Sequence, residues 1–140
     1  MVDNQNEYNR QLIEEFRTAR DTEAGPMPGR PLLLLTTTGA KSGQRRTTPL
    51  MYIPDGEGLL VIASAAGAPK HPDWYHNLAA HPEVTVEVGK ETFDATAVVL
   101  EGDERRQVWD RIIQQYPFFI EHQSKVTRQI PVVALQRRPS

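Results

Sequence analysis

The sequence predicts an α+β domain in which an antiparallel sheet of about six short strands curls into a barrel, with helices packed on its outside. Three observations carry this. Apolar periodicity switches along the chain in the order α, β, β, β, α, β, β, α, β. Turn signals at Asp55-Gly56 and Gly89-Lys90 separate neighbouring β runs, so those runs pair as hairpins. The 140 residues suit one domain, 1–140, which can bury roughly two-thirds of its unfolded surface without staples.

Residues 4–19 place Tyr8, Leu12, Ile13 and Phe16 at helical spacing, and Asn4 with Glu7 three positions later resembles a capping box. The helix is expected to lay its apolar stripe on the sheet. A membrane-surface role is the second option, opposed by Glu14 and Glu15 on the polar face. Residues 21–31 contain two glycines and three prolines and read as an extended connector, so residues 1–31 form an N-terminal helix and connector ahead of a barrel at 32–135. Four leucines at 32–35, followed by three threonines, suit a strand buried on both faces. Its partner spans 47–53, where Pro49 cannot donate to a ladder and implies an edge, a bulge or a ligand-facing gap.

Residues 59–65 form a third strand, ended by the small-residue stretch 64–68, which turns the chain and leaves room for a planar ring against the backbone. At 70–81, Pro72 marks a helix start, Asp73 sits in the first turn, and Trp74 and Leu78 share a side. Val84, Val86 and Val88, then Phe93, Ala95, Ala97 and Val99, alternate as the two strands of a half-buried hairpin. Val108, Trp109, Ile112 and Ile113 define a helix over 103–115, with Asp103 as N-cap and Pro117 as its end. A short strand at 131–135 closes the chain.

Several kinds of chemistry are excluded. There is no cysteine, hence no disulfide, thiolate metal site or cysteine nucleophile, and a reducing cytoplasm is allowed. The polar start MVDNQNEY argues against a secretory signal, and no apolar run approaches the ~20 residues of a membrane span. A cytoplasmic protein is expected. A net charge of −2 argues against nucleic acid as partner and requires any anion site to come from local clustering. His71, His76 and His81 are spaced by five, about 140° around a helix per step, so no shared metal-binding face is expected. There is no Gly-x-Ser-x-Gly elbow and no carboxylate pair placed for acid-base work.

The chemistry-bearing stretch is TTTGAKSGQRRTTPL, residues 36–50. Gly39 and Gly43 open backbone conformations closed to other residues, while Lys41, Ser42, Arg45 and Arg46 put three cations and a hydroxyl in six positions. Such a loop can hold a phosphate, or it is a solvated hairpin turn. It is not a P-loop, because Ala40 breaks the Gly-Lys-Ser order, and no helical pattern follows the glycines as a dinucleotide fingerprint requires. Anion-binding cations and small residues, without nucleophile or metal, suit a protein that holds a cofactor bringing its own chemistry.

Three blocks, LLLLTTTGAKSGQRRTTPLMY, DGEGLLVIASAAGAPKHPDWYHNLAAHPEVTVEV and YPFFIEHQSKVTRQIPVVAL, resemble the deazaflavin-dependent nitroreductase and quinone reductase family of actinobacteria, which uses coenzyme F420, an 8-hydroxy-5-deazaflavin. The resemblance implies a split β-barrel and hydride transfer from reduced F420 to a small-molecule acceptor, a quinone, nitro compound or enone. It implies cofactor contacts from Ala40, Lys41 and Ser42, and from Arg46, Thr47, Thr48, Pro49, Leu50 and Met51, with Lys41 and Arg46 on the phosphate. Ile62, Ala63, Ser64 and Ala65 would border the ring, and Asp73, Trp74, Tyr75, His76 and Asn77 would complete the site. Arg45 and Lys70 join as tail contacts by charge. Tyr116, Phe119 and His122 stand where some nitroreductases carry tyrosines, and Met51 replaces another. Tyr116 and His122 are therefore the candidate proton or hydrogen-bond donors of an acceptor pocket that includes Phe119 and Met51. FMN is the alternative cofactor, and a non-catalytic binder of deazaflavin or lipid the alternative role. A homodimer is expected as an option, as is attachment to the inner face of the membrane through the first helix.

Overall fold

The four leucines and three threonines form strand β1 (Leu32–Thr38), in which Leu33, Leu34 and Leu35 are all fully buried, so both faces are covered. The computed structural model describes residues 4–19, 32–55, 58–64, 67, 70–89 and 91–138, and in the first helix the side chains of 9–17. The connector at 21–31, the turn residues Gly56 and Lys90, the candidate site residue Ala65 and the side chains of Asn4, Glu7 and Tyr8 lie outside this description.

Helix α1 (Asn4–Ala19) precedes β1, which is followed by β2 (Arg45–Met51), β3 (Ile53–Asp55) and β4 (Gly58–Ile62). Next come α2 (Asp73–Ala80), β5 (Glu83–Val88), β6 (Glu91–Val99), α3 (Gly102–Gln115), α4 (Phe118–Ser124) and β7 (Val132–Arg137). The strands pair antiparallel in the order β2-β1-β5-β6-β7-β4-β3. The two edge strands, β2 and β3, are separated in the chain only by Tyr52. One residue of extended chain advances about 3.3 Å, so the two edges of the sheet are held side by side and the sheet curls into a barrel. β2 and β3 are one bent strand, which reconciles seven segments with the six strands expected. Pro49 lies in β2 opposite Leu34, on the strand that has β1 as its one ladder neighbour, so its missing N–H disrupts no second ladder.

Period-two alternation fills the barrel. Leu33 and Leu35, Val84 and Val86, Ala95 and Ala97, Val133 and Leu135 point to one interior cluster, which Trp74 and Leu78 of α2 also enter. Outside, Ile53, Leu60 and Val132 meet Leu100, Val108 and Ile112 and, from α4, Phe119. Burying each such side chain contributes about 1.5–3 kcal/mol. α1 packs against β2 with Leu12 and Phe16 buried, and Arg17 reaches β5, donating from Nε and Nη2 to the Glu87 carboxylate at 3.2 and 2.9 Å. Glu87 pairs in register with Leu34, so α1 spans the outward face of β1 and β5. Among the described residues no helix is long and apolar enough to cross a membrane.

Two details correct the sequence-based expectation. Asp103 is not the N-cap of α3; Glu101 holds that position in extended conformation, and Asp103 pairs with Arg106 at 2.9 Å in the first turn. Pro117 ends one helix but also starts another. A residue before proline is driven out of the α region, as Tyr116 is at φ −131°, while the proline ring holds φ at −59°, ready for α4.

Candidate functional site

The loop between β1 and β2 is folded on itself by short-range bonds. Gly39 N–H donates to Gln44 O at 2.7 Å, Gly43 N–H to Gly39 O at 2.9 Å, and Gln44 N–H to Ser42 Oγ at 3.2 Å. Gly43 takes φ +71°, a left-handed conformation that side chains resist. A Cβ on Gly39 would lie 2.5 Å from Ser42 Oγ and 3.3 Å from Gln44 O, so a larger residue there would displace the Ser42 hydroxyl from its bond to Gln44 N–H. Asn77 of α2 pins it from outside: its Oδ1 accepts from Ala40 N–H at 3.0 Å and its Nδ2 donates to Thr37 Oγ1 at 3.2 Å. Thr37 is fully buried, and Asn77→Ala leaves its hydroxyl and the Ala40 N–H without these partners. We expect that variant to lose about 1–3 kcal/mol in a denaturant melt; an unchanged midpoint would remove Asn77 from the support of the loop.

A cleft of about 830 Å³ opens beside this loop. α1 supplies Asn9, Arg10 and Ile13; the loop and β2 supply Gly39 to Ser42 and Arg45 to Thr48; α2 supplies Asp73, Trp74, His76 and Asn77. Arg10, Lys41, Arg45 and Arg46 face a single carboxylate, Asp73, so the cleft favours anions. The cations are not equivalent. Arg45 is fixed to the sheet, donating to Thr38 Oγ1 at 3.0 Å and Thr85 Oγ1 at 2.7 Å, with Thr85 donating on to Asp94 at 3.2 Å. Among the described residues Arg46 makes one side-chain hydrogen bond, to Gln44 Oε1 at 3.5 Å, and Lys41 makes no ion pair, so both can reorient onto a ligand.

Eleven of the residues expected at the cofactor line this cleft: Ala40, Lys41, Ser42, Arg45, Arg46, Thr47, Thr48, Asp73, Trp74, His76 and Asn77. Trp74 is also part of the barrel core and only 7% exposed, so it serves both. The others lie elsewhere. Leu50 and Tyr75 pack against the interior cluster, Ala63 and Ser64 are buried, and Lys70 is exposed. Pro49 occupies β2 beyond the cleft lining. Met51 and Ile62 join Tyr116 against the outer cluster that contains Phe119. Three of the four acceptor-pocket candidates, Met51, Tyr116 and Phe119, thus belong to or border this cluster, and the rings of Tyr116 and Phe119 lie 6.4 Å apart. The His122 ring stands 5.7 Å from that of Phe119 and 5.5 Å from that of Phe118. Its Nδ1 is buried with no hydrogen-bond partner among the described residues.

Sequence reasoning passed over two features. The α1 wall of the cleft was one, because Asn9 and Arg10 belong to no local motif that points to a site. The other is Arg128, in the irregular chain between α4 and β7. Its Nη1 donates to Ala63 O at 3.1 Å and lies 2.9 Å from His71 Nδ1, and its Nη2 donates to Ser64 O at 2.9 Å. Because a guanidinium only donates, His71 Nδ1 accepts and the ring carries its proton on Nε2. Burial, then the charges of Arg128 and His76, lower the His71 pKa from its ordinary value. His71 precedes α2, so the five-residue step does not separate it from His76 as a helix would; the two rings lie 5.7 Å apart.

Residues 8–137 match the model of the F420H(2)-dependent quinone reductase family. An F420H(2)-dependent quinone reductase of Mycobacterium tuberculosis strain H37Rv is 42% identical over 116 residues, covering 80% of this chain and 78% of the relative. The solved structure of an F420-H2 dependent reductase is 44% identical with TM-score 0.68, covering 76% of this chain and 95% of that one. Another solved chain, a domain-swapped dimer, is 40% identical with TM-score 0.71, covering 94% and 98%.

Proposed function

The chain belongs to the F420H(2)-dependent quinone reductase family, and on that premise we propose that it binds coenzyme F420 in the cationic cleft and reduces a quinone, nitro or enone acceptor beside Met51 and Tyr116. The observation that carries this is the course of β2. Thr47 and Thr48 line the cleft, and three residues further, about 10 Å of strand, Met51 packs, as Tyr116 and Ile62 do, against the outer cluster. A long ligand with an anionic tail and a planar head fits that run. Lys41 and Arg46 would hold the phosphate, and Arg10 and Arg45, from their places on the cleft wall, would face the carboxylates of the glutamate tail. Trp74, Asp73 and His76 form the opposite wall.

When bound in its reduced form, the deazaflavin supplies a hydride from C5. The protein contributes orientation, exclusion of water and a proton or hydrogen bond to the acceptor oxygen. The Tyr116 hydroxyl and the His122 imidazole are the groups we assign to that donor role. With Phe119, His122 and Met51 where some nitroreductases carry tyrosines, the pocket offers few phenols to donate to a nitro or quinone oxygen, which counts against activation of a bicyclic nitro compound.

We place the protein in the cytoplasm. Leu12 and Phe16 of α1 are spent on the fold and Ile13 faces the cleft, so the described side chains of α1 leave no apolar stripe for a membrane surface. A homodimer is supported by the domain-swapped relative. The test is a parallel fluorescence titration with F420 and FMN at low and moderate salt, followed by an aerobic turnover assay with a quinone and a nitro acceptor. Salt-sensitive F420 binding with turnover is expected. Preference for FMN would replace the cofactor, and F420 binding without turnover on any acceptor would leave a non-catalytic carrier.

A further inference from the structure

Arg128 stands at a junction that no cleft residue occupies. Its guanidinium joins the carbonyls of Ala63 and Ser64, just beyond β4, to His71, just ahead of α2. Its own backbone is held as well: Gln123 of α4 donates from Nε2 to Arg128 O at 2.7 Å and accepts from Ile130 N–H at 2.9 Å through Oε1. The chain beyond Ser64 rests on α4 too. Gly67, at φ +83°, donates to Ser64 O at 2.9 Å, and a Cβ there would lie 3.0 Å from Lys125 Cδ and 3.3 Å from His122 O. One cation therefore ties the α4–β7 connector to two segments more than fifty residues earlier in the sequence, the β4 exit and the approach to α2.

We propose that Arg128 is a positioning residue, locking the β4 exit and the His71 segment onto the α4–β7 connector in the arrangement that receives the cofactor ring, and that the lock holds only while His71 is neutral. The proposal rests on the reading that the β4 exit borders deazaflavin. Its chemistry is simple. Three donor contacts from one guanidinium need three acceptors, and a protonated imidazole is no longer one; it would instead place a second positive charge against Arg128. The charged and titratable groups around His71 are Arg128 from the connector, Tyr75 and His76 from α2, and Lys70 and Asp73 flanking it in the chain. The lowered His71 pKa agrees in direction. For a group whose folded pKa is depressed, the contribution to stability is complete above the unfolded value near 6.5 and is lost as pH falls through the folded value.

The experiment has two arms on the full chain. Nitrogen-15 NMR of the histidine rings, with no cofactor present, should find His71 in its Nε2–H form and titrating below the ordinary histidine value, with the titration moved upward toward that value in Arg128→Met, where burial and His76 still act. Calorimetric titration with F420 should find Arg128→Met weakened about ten- to thirty-fold at about pH 8, with Arg128→Lys between it and the native protein. His71→Gln keeps an acceptor oxygen and loses the titration, so its affinity should fall less than that of the native chain between about pH 8 and about pH 5.5. Ionisation of F420 itself is common to both proteins and cancels. If His71 titrates normally, or Arg128→Met binds like the native chain, the positioning role is overturned. If the NMR arm succeeds while the native protein binds no F420, the lock stands as structure and its role at the cofactor is overturned with the family-based reading. Arg128→Met samples that fail to show a folded spectrum transfer the decision to Arg128→Lys and His71→Gln.

Discussion

Trp74→Ala lowers stability by about 3–5 kcal/mol, the range for truncating a buried tryptophan, and shifts the thermal midpoint down by roughly 10–15 °C. The side chain is 7% exposed, sits with Leu78 in the interior cluster and stops one end of the barrel, where neither β1 nor β6 can collapse inward to refill the space. Circular dichroism melts check the value. A midpoint within a degree or two of the native protein's would mean that α2 does not plug the barrel. Trp74→Phe separates the two roles of the ring: most of the buried volume is restored, so any remaining loss of F420 affinity reports the face that lines the cleft.

The second large effect is on binding. Lys41→Ala with Arg46→Ala weakens F420 by about 2–3 kcal/mol in total, roughly 30- to 150-fold in Kd. Charge-assisted contacts to a phosphate reach higher values when fully dry, but both side chains are exposed here and water screens them. The salt dependence of binding should flatten in the same variant, since fewer cations meet the anion. Stability should not change measurably, because neither cation takes part in an ion pair among the described residues. Arg45→Met behaves differently: it removes the donors to Thr38 and Thr85, so it costs stability as well as affinity. Equal F420 affinity in the double variant and the native protein would place the cofactor phosphate elsewhere.

The barrel was legible because its evidence is local. Leu32 to Leu35 are a continuous apolar run, Val84 to Val88 and Phe93 to Val99 alternate with a period of two, and turn residues separate the hairpins. The cation loop was legible for the same reason: its charges and glycines are consecutive, and the structure needs them consecutive to fold Gly39 onto Gln44. The acceptor side was read through resemblance; Met51 and Tyr116, sixty-five residues apart in sequence, pack against the same outer cluster, which contains Phe119, a placement that no local pattern shows. Helix α4 was missed because Pro117 ends a helix in any local reading, and only the packing of Phe119 under Trp109 and Tyr116 rewards starting another.

By itself, then, the sequence determined the antiparallel strands, the amphipathic helices and an anion-binding loop, all properties of neighbouring residues acting through backbone preference and period. Only the tertiary structure decided that Tyr52 bends one strand around both edges of the sheet, that α1 walls the cleft with Asn9 and Arg10, and that Arg128 finds His71 and the Ala63 and Ser64 carbonyls. Those contacts join residues tens of positions apart, and their geometry is set by strand register and closure, which no local pattern of side chains encodes.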